Sequence, residues 1–161
     1  MDDIEDFSHL SDSWLYWGRL AGLNNVQSPK THQADELRFT SDDYSVHVRH
    51  RDESWILDTV DERGELHTDT AEFSTFSLVE KFLIWDWAST ARGAMRLPRL
   101  EPKLYALGMN PNITATPLKV GIYKLQSREG WAVLMEPSAT IFSHLMSRPL
   151  NEIEERFSQD I

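Results

Sequence analysis

The sequence predicts an α+β fold: a single domain with an antiparallel sheet of about five to six strands and helices packed on one face. Residues 36–70 alternate apolar and polar side chains between short polar turns, which is typical of an antiparallel meander. Residues 75–92 then follow a long apolar helical pattern. A second hairpin and two helical segments complete the chain, and this order of elements is that of α+β proteins.

The composition is that of a folded, acidic protein. A chain of 161 residues with 40% hydrophobic content is the size of one domain and can bury a core. Its 26 Asp and Glu outnumber 16 Lys and Arg, giving a net charge of −10. Such a charge repels nucleic acids and anionic membranes and favours a basic partner, although acidity also serves solubility alone. The absence of cysteine excludes disulfides, thiolate metal sites and a cysteine nucleophile.

Residues 1–10 are predicted to be an acidic flexible N-terminus and residues 11–161 the single domain. The start of the chain has neither the positive charge nor the apolar stretch of a signal peptide. No apolar run approaches the roughly 20 residues needed to span a bilayer. We therefore expect a cytoplasmic protein that binds neither nucleic acid nor membrane.

The first half of the domain reads as one helix followed by strands. The helix is predicted from about Ser11 or Ser13 to Leu23, because large apolar side chains recur there at helical spacing. A polar loop covers residues 24–35. The alternating pattern then predicts strands at about residues 36–40, 44–49, 55–60 and 66–70.

The helix from Thr75 to Arg92 is predicted to be the core helix. Its sheet-facing row comprises Phe76, Val79, Leu83 and Trp87, which fall on one side at 100° per residue. Leu78 and Trp85 form a second apolar face, which we expect the terminal helices to cover.

The C-terminal half is predicted to hold a hairpin and two short helices. Pro98 and Pro102 exclude a continuous helix after the core helix. Residues 109–112 read as a loop, and residues 118–126 and 131–135 as a hairpin around residues 127–130. The helices run from Ser138 to about residue 146 and over residues 150–157, with a proline at the first turn of the second.

No motif of catalysis or metal binding is present, and no cofactor is predicted. His47 and His50 lie three apart on a strand and so point to opposite faces, and there is no HExxH pattern. A carboxylate cluster reads as a solvated edge: Glu53, Asp58, Asp61, Glu62 and Glu65. Asp58 is the exception to watch, because apolar residues flank it on its own face. A basic cluster could bind phosphate or pair with the acidic strands: Arg92, Arg96, Arg99 and Lys103.

The order of several segments resembles a known family. These are WGRLAGL, YSVHVRH, WILDTVDERG, FSLVEKFLIWDWAS leading into ARGAMRLP, and GIYKLQSREGWAVLM, within about residues 11–136. They resemble the immunity protein 61 family of polymorphic toxin systems, which includes the immunity factor for the tuberculosis necrotizing toxin. The resemblance implies a cytoplasmic antitoxin without enzymatic activity. It would form a one-to-one complex with a cognate secreted toxin domain, typically an NAD-degrading glycohydrolase, and block its active-site cleft.

No family motif assigns individual contact residues, so exposure and side-chain chemistry select them. The predicted partner-binding residues are Asn24, Asn25, Gln27, Lys30, His32, Asp61, Glu62, Asn110 and Asn112. The six tryptophans are either partner anchors or, as expected for most of them at this size, core residues.

Two other functions fit the residues. One is a secretion-type chaperone or adaptor that binds an extended client segment on its sheet or helices. The other is a small hydrolase or nucleotide-binding enzyme that uses Asp58 and the arginine cluster.

Overall fold

A seven-stranded antiparallel sheet with helices on one face makes up the structure, a computed structural model that describes residues 6–29 and 36–161. This confirms the predicted α+β fold and single sheet. The strands are β1 (Glu36–Phe39), β2 (Ser45–Arg51), β3 (Ser54–Val60), β4 (Leu66–Phe73), β5 (Thr114–Lys119), β6 (Ile122–Ser127) and β7 (Gly130–Met135). The helices are α1 (Ser8–Leu20), α2 (Phe76–Ala94), α3 (Glu101–Ala106), α4 (Ser138–Ser143) and α5 (Leu150–Phe157).

The sheet consists of two meanders that meet at one seam. Its strand order is β1-β2-β3-β4-β7-β6-β5, so each meander pairs strands that are consecutive in the chain. At the seam, Glu72 pairs with Val133 and Phe73 pairs with Ala132. In the described part of the chain, no further residues of β4 and β7 pair with one another.

The strand register determines which turns share an end of the sheet. Ser45 pairs with Val60, so the β1–β2 turn lies beside the β3–β4 turn. Because β7 runs antiparallel to β4, the β5–β6 turn and Met135 lie at that end as well. The opposite end carries the β2–β3 and β6–β7 turns and the start of β5.

Helix α2 lies at the centre of the helical layer, between α1 and α5. The side chain of Thr75 caps it by accepting a hydrogen bond from the Leu78 backbone N–H at 3.2 Å. The ring of Phe76 lies 5.1 Å from that of Trp55 in β3, and Trp87 lies 5.3 Å from Phe39 in β1. These contacts place the predicted row of α2 against the sheet.

Trp85, on the second apolar face of α2, is covered by α4, one of the helices expected there, and by α3. Trp85 stacks on Phe142 of α4 with 6.3 Å between ring centroids. Its indole Nε1–H donates to Glu101 of α3 at 3.3 Å. Leu78 is fully buried, and five of the six tryptophans are buried while Trp131 is half-buried. The tryptophans therefore serve mainly as core residues.

The prediction of one strand over residues 118–126 was wrong, which explains why the sheet has more strands than expected. The chain reverses at Val120 and Gly121, and Gly121 adopts a φ of +77° that only glycine adopts readily. The residues before this turn form β5, an edge strand that tolerates Pro117 because its outer side needs no hydrogen-bond donor.

Some helix boundaries also differ from the sequence prediction. Helix α1 begins at Ser8 and ends at Leu20, so it includes residues 8–10 of the predicted flexible N-terminus. Residues 1–5 lie outside the described part of the chain. Pro102 sits in the first turn of α3, where a proline is compatible with a helix. None of the helices in residues 6–29 and 36–161 has the length and apolar character required to cross a bilayer.

Candidate functional site

Two of the predicted partner-binding segments meet at one end of the sheet. The backbone N–H of Asn24 donates to Asp43 at 2.7 Å, and the side chain of Asn25 donates to Asp42 at 3.4 Å. Gln27 donates to Asn25 at 2.9 Å and forms a bridge with Thr40. These bonds hold the loop after α1 against the β1–β2 turn, and the register places that turn beside the β3–β4 turn. We call this surface the acidic end, defined by Asp42, Asp43, Asp61, Glu62 and Glu65.

Hydrogen bonds to the carboxylate of Asp61 shape the β3–β4 turn. Its carboxylate accepts the backbone N–H groups of Arg63 at 2.9 Å and Glu65 at 3.0 Å, and it lies 3.0 Å from Nε2 of His67. The hydrogen bond with His67 lowers the pKa of Asp61 and raises the pKa of His67. Potential ligand atoms of Asp61, Glu65 and His67 lie within 4.8 Å of one another, an arrangement that exposed acidic turns also adopt without a metal ion. The bonds leave Glu62 exposed at the tip of a fixed turn.

Exposed apolar side chains lie at the same end of the sheet. Leu66, Leu118 and Met135 are each about half exposed, and Val120 at the β5–β6 turn is fully exposed. Apolar area beside charged residues is typical of surfaces that bind other proteins. The acidic end therefore combines charge with apolar contact area.

The other predicted residues are not part of this surface. Asn112 precedes β5 at the opposite end of the sheet, about 20 Å away for strands of six or seven residues. The side-chain amide of Asn110 donates a hydrogen bond to the backbone carbonyl of Ser143 at 2.9 Å. A role for these two residues in partner binding stays a prediction. Lys30 and His32 lie outside the described residues.

A small aromatic pocket, which was not predicted from the sequence, adjoins the acidic end. It has a volume of about 320 Å³ and lies between α1, α2 and Tyr44. We call it the tryptophan pocket, after three of its lining residues: Trp14, Trp17 and Trp87. Asp86 also lines it. The signal for this pocket in the sequence is one acidic residue between Trp85 and Trp87 in an otherwise apolar stretch of α2.

Asp86 is a half-buried carboxylate that lacks a partner within the described residues. Neither a hydrogen-bond donor nor a cation contacts its side-chain oxygens there, although its backbone carbonyl accepts from Thr90 at 3.0 Å. Burial, and then the negative charge of Glu101, raise the pKa of Asp86 to about 6. Burial and the charge of Asp86 likewise raise the pKa of Tyr44. The fold therefore holds this carboxylate at a cost in stability.

We expect Asp86→Asn to stabilise the protein. The pKa of Asp86 is near 6 in the folded state and near 4 in the unfolded state. The free energy of unfolding therefore falls as pH rises through this range, because the folded state resists ionisation of the carboxyl group. The asparagine variant lacks this loss. Its gain in free energy of unfolding over wild type should grow across this window and reach about 1–3 kcal/mol above pH 7. Urea denaturation from pH 4 to 8 measures it.

The matched control for this prediction is Asp12→Asn, the same change at an exposed position of α1. It should change the free energy of unfolding by less than about 0.5 kcal/mol at every pH. Equal stability of Asp86→Asn and wild type at pH 8 would show that the ionised Asp86 does not destabilise the fold.

Asp58, the other carboxylate singled out in the sequence, is part of a structural ion pair. Arg49 donates to both of its oxygens, at 2.6 and 3.0 Å, and also to Asp69 at 2.6 Å. The backbone N–H of Asp69 donates to Asp58 at 2.9 Å. Burial raises the pKa of Asp58, but the bonds from Arg49 and Asp69 and the positive charge of Arg49 outweigh burial and hold it below its usual value. A carboxylate held in its ionised form by these bonds is not suited to act as a general acid or base.

Arg92, one residue of the arginine cluster, does not converge with Asp58. Arg92 is buried in the helical layer, where its guanidinium donates to the backbone carbonyls of Pro98, Phe157 and Gln159. These bonds fix the C-terminal residues to α2. Asp58 lies on the face of the sheet that points away from α2, where it pairs across the strands with His47. Arg92 and Asp58 are therefore on different sides of the sheet.

Residues 17–160 match the protein-family model described as Immunity protein 61. This chain belongs to the Immunity protein 61 family. The resemblance read from the sequence is thereby confirmed, and it extends through the C-terminal helices. As an immunity protein, the chain has an antitoxin role and binds a cognate toxin.

The fold of this Immunity protein 61 family member is also found in a solved structure. Rv3902c from M. tuberculosis superposes with a TM-score of 0.68 at 15% sequence identity, covering 93% of this chain and 87% of that chain. At this identity the match shows a shared fold. Among curated protein sequences, none matches the chain.

Proposed function

We propose that this immunity protein inhibits an NAD-degrading glycohydrolase toxin in the cytoplasm by placing its acidic end in the active-site cleft of the toxin. It forms a one-to-one complex with the toxin and has no catalytic activity of its own. The family supports the antitoxin role, and the resemblance stated above suggests the toxin class. The observation that carries the binding mode is the convergence of acidic turns, amide side chains and exposed apolar residues at one end of the sheet.

The geometry of the acidic end suits insertion into a cleft. Its turns project past the ends of the strands, where backbone and side chains are free to meet a partner. Asp43 and Asp61 are held by hydrogen bonds to neighbouring backbone groups, so little conformational entropy is lost on binding. The negative charge of the whole chain also speeds the encounter with a basic surface.

The test measures binding and inhibition of the toxin domain encoded beside the gene for this chain. We expect hydrolysis of NAD by that toxin to stop at one equivalent of the immunity protein. Glu62→Lys at the acidic end should slow association about tenfold at low salt, because reversing a rim charge acts mainly on the association rate. Added salt should reduce that difference.

Glu53→Lys is the matched control, since Glu53 is an exposed turn residue at the opposite end of the sheet. It should associate at close to the wild-type rate. Equal slowing by both variants would remove the acidic end as the contact surface, and a toxin that is bound but still active would contradict the blocked cleft. Preference for an unfolded toxin segment over the folded domain would favour the chaperone function instead.

A further inference from the structure

Asp86, which lines the tryptophan pocket, carries a negative charge that the fold itself does not use. Asp86 has no positive partner within residues 6–29 and 36–161, and the charge of Glu101, which acts on it, is also negative. Arg49 and Asp58 show how this protein pairs a buried carboxylate when it serves only the structure. Asp86 differs from that pattern, and a positively charged ligand would supply the missing partner.

The walls of the pocket suit the same kind of ligand. Trp14 lies 4.9 Å from Trp87 and 6.5 Å from Tyr44, measured between ring centroids. Aromatic rings attract cations through their negative faces. Aromatic rings around a carboxylate therefore favour a cation with an apolar stem.

The size and position of the tryptophan pocket further limit the kind of ligand that it can bind. A volume of about 320 Å³ is at the lower end of the range for ligand pockets, so the pocket accommodates one side chain more readily than a whole metabolite. Its lining residue Tyr44 directly follows Asp43, and its lining residue Leu23 directly precedes Asn24. The pocket thus adjoins the surface that the proposed function assigns to the toxin.

We infer that the tryptophan pocket binds an arginine or lysine side chain of the toxin, with Asp86 as the counter-ion. The inference rests on the proposed function for the identity of the partner. A basic side chain places its aliphatic stem against the indole rings and its charge against the carboxylate. It would be a central anchor of the complex, of the kind that fills a pocket and slows dissociation.

The first test compares toxin binding by Asp86→Asn and by the control Asp12→Asn. Removing one member of a desolvated charge pair should weaken binding about thirtyfold or more, mainly through faster dissociation. The control should bind as wild type does. Circular dichroism establishes that both variants are folded.

Unchanged affinity of Asp86→Asn would overturn the assignment of the pocket while the proposed function stands. Failure of the wild-type chain to bind the toxin would overturn the proposed function and, with it, the partner named for the pocket.

The second test probes the pocket without the toxin. N-acetyl-arginine amide at millimolar concentration should shift the indole N–H resonances of Trp17 and Trp87 in wild type but not in Asp86→Asn. N-acetyl-citrulline amide has nearly the same shape without the charge, and it should leave these resonances in place. Equal responses to both compounds, or no response to either, would overturn the inference.

Discussion

Replacing Val79 with aspartate is expected to unfold the protein. Val79 is fully buried on the side of α2 that faces the sheet, within the hydrophobic core. An aspartate there loses the apolar contacts of valine and buries a carboxylate without a partner. The combined loss is about 5 kcal/mol or more, comparable with the whole stability of many domains. Circular dichroism and size-exclusion chromatography at neutral pH should show loss of the native state.

The control for this variant introduces the same charge on the same helix. Ser77→Asp lies in the exposed first turn of α2, where a negative charge interacts favourably with the helix dipole. It should be as stable as wild type or slightly more so. A folded Val79→Asp protein would contradict the assignment of the sheet-facing row.

The second large loss of stability is expected on breaking the Arg49–Asp58 ion pair. Asp58 is 5% exposed, and Arg49→Met would remove its positive partner while leaving the carboxylate in place. Breaking a buried pair in this way costs about 3–5 kcal/mol, and the partial exposure of Arg49 reduces the expected loss to about 2–4 kcal/mol. Denaturation by urea at pH 7 measures it.

The pH dependence of this loss follows from the lowered pKa of Asp58. A carboxylate with a lowered folded pKa adds stability above its unfolded pKa, near 4, and that stability is lost as pH falls through the folded value. The difference between wild type and Arg49→Met should therefore shrink below about pH 4.

Arg38→Met is the matched control, since Arg38 is an exposed arginine on the neighbouring strand. It should lower the free energy of unfolding by less than about 0.5 kcal/mol. An equal loss in the two variants would show that a general charge effect, and not the paired Asp58, is responsible.

The fold class, the core helix and most strands could be predicted because each depends on a local pattern. The alternation around Val46 and Val48 and the helical row from Phe76 to Trp87 need only the residues beside them. The break at Gly121 was missed because a glycine between apolar residues is also compatible with a continuous strand. A hairpin turn at Gly121 and a continuous strand through it differ in backbone conformation, and the residue types alone do not show which conformation is adopted.

The candidate site was predicted only in part because its grouping depends on long-range register. Asn24 and Asp61 were selected separately as exposed polar residues, and it is the pairing of Ser45 with Val60 that brings their turns together. Asn112 was selected on the same grounds, but the register places it at the other end. The pocket forms only where α1 packs against α2. The sequence shows Asp86 as an acidic residue in an apolar helix, but it does not show which residues surround it.

The seam between β4 and β7 has a consequence for how the chain folds. Each meander joins strands that are neighbours in sequence, so each can form through short, rapidly closed loops. The bond from the Trp131 backbone N–H to Ser74 links residues 57 positions apart, and closing that loop has a larger entropic cost. We therefore expect the two meanders to form early and to meet late, with docking across Phe73 and Ala132 completing the native sheet.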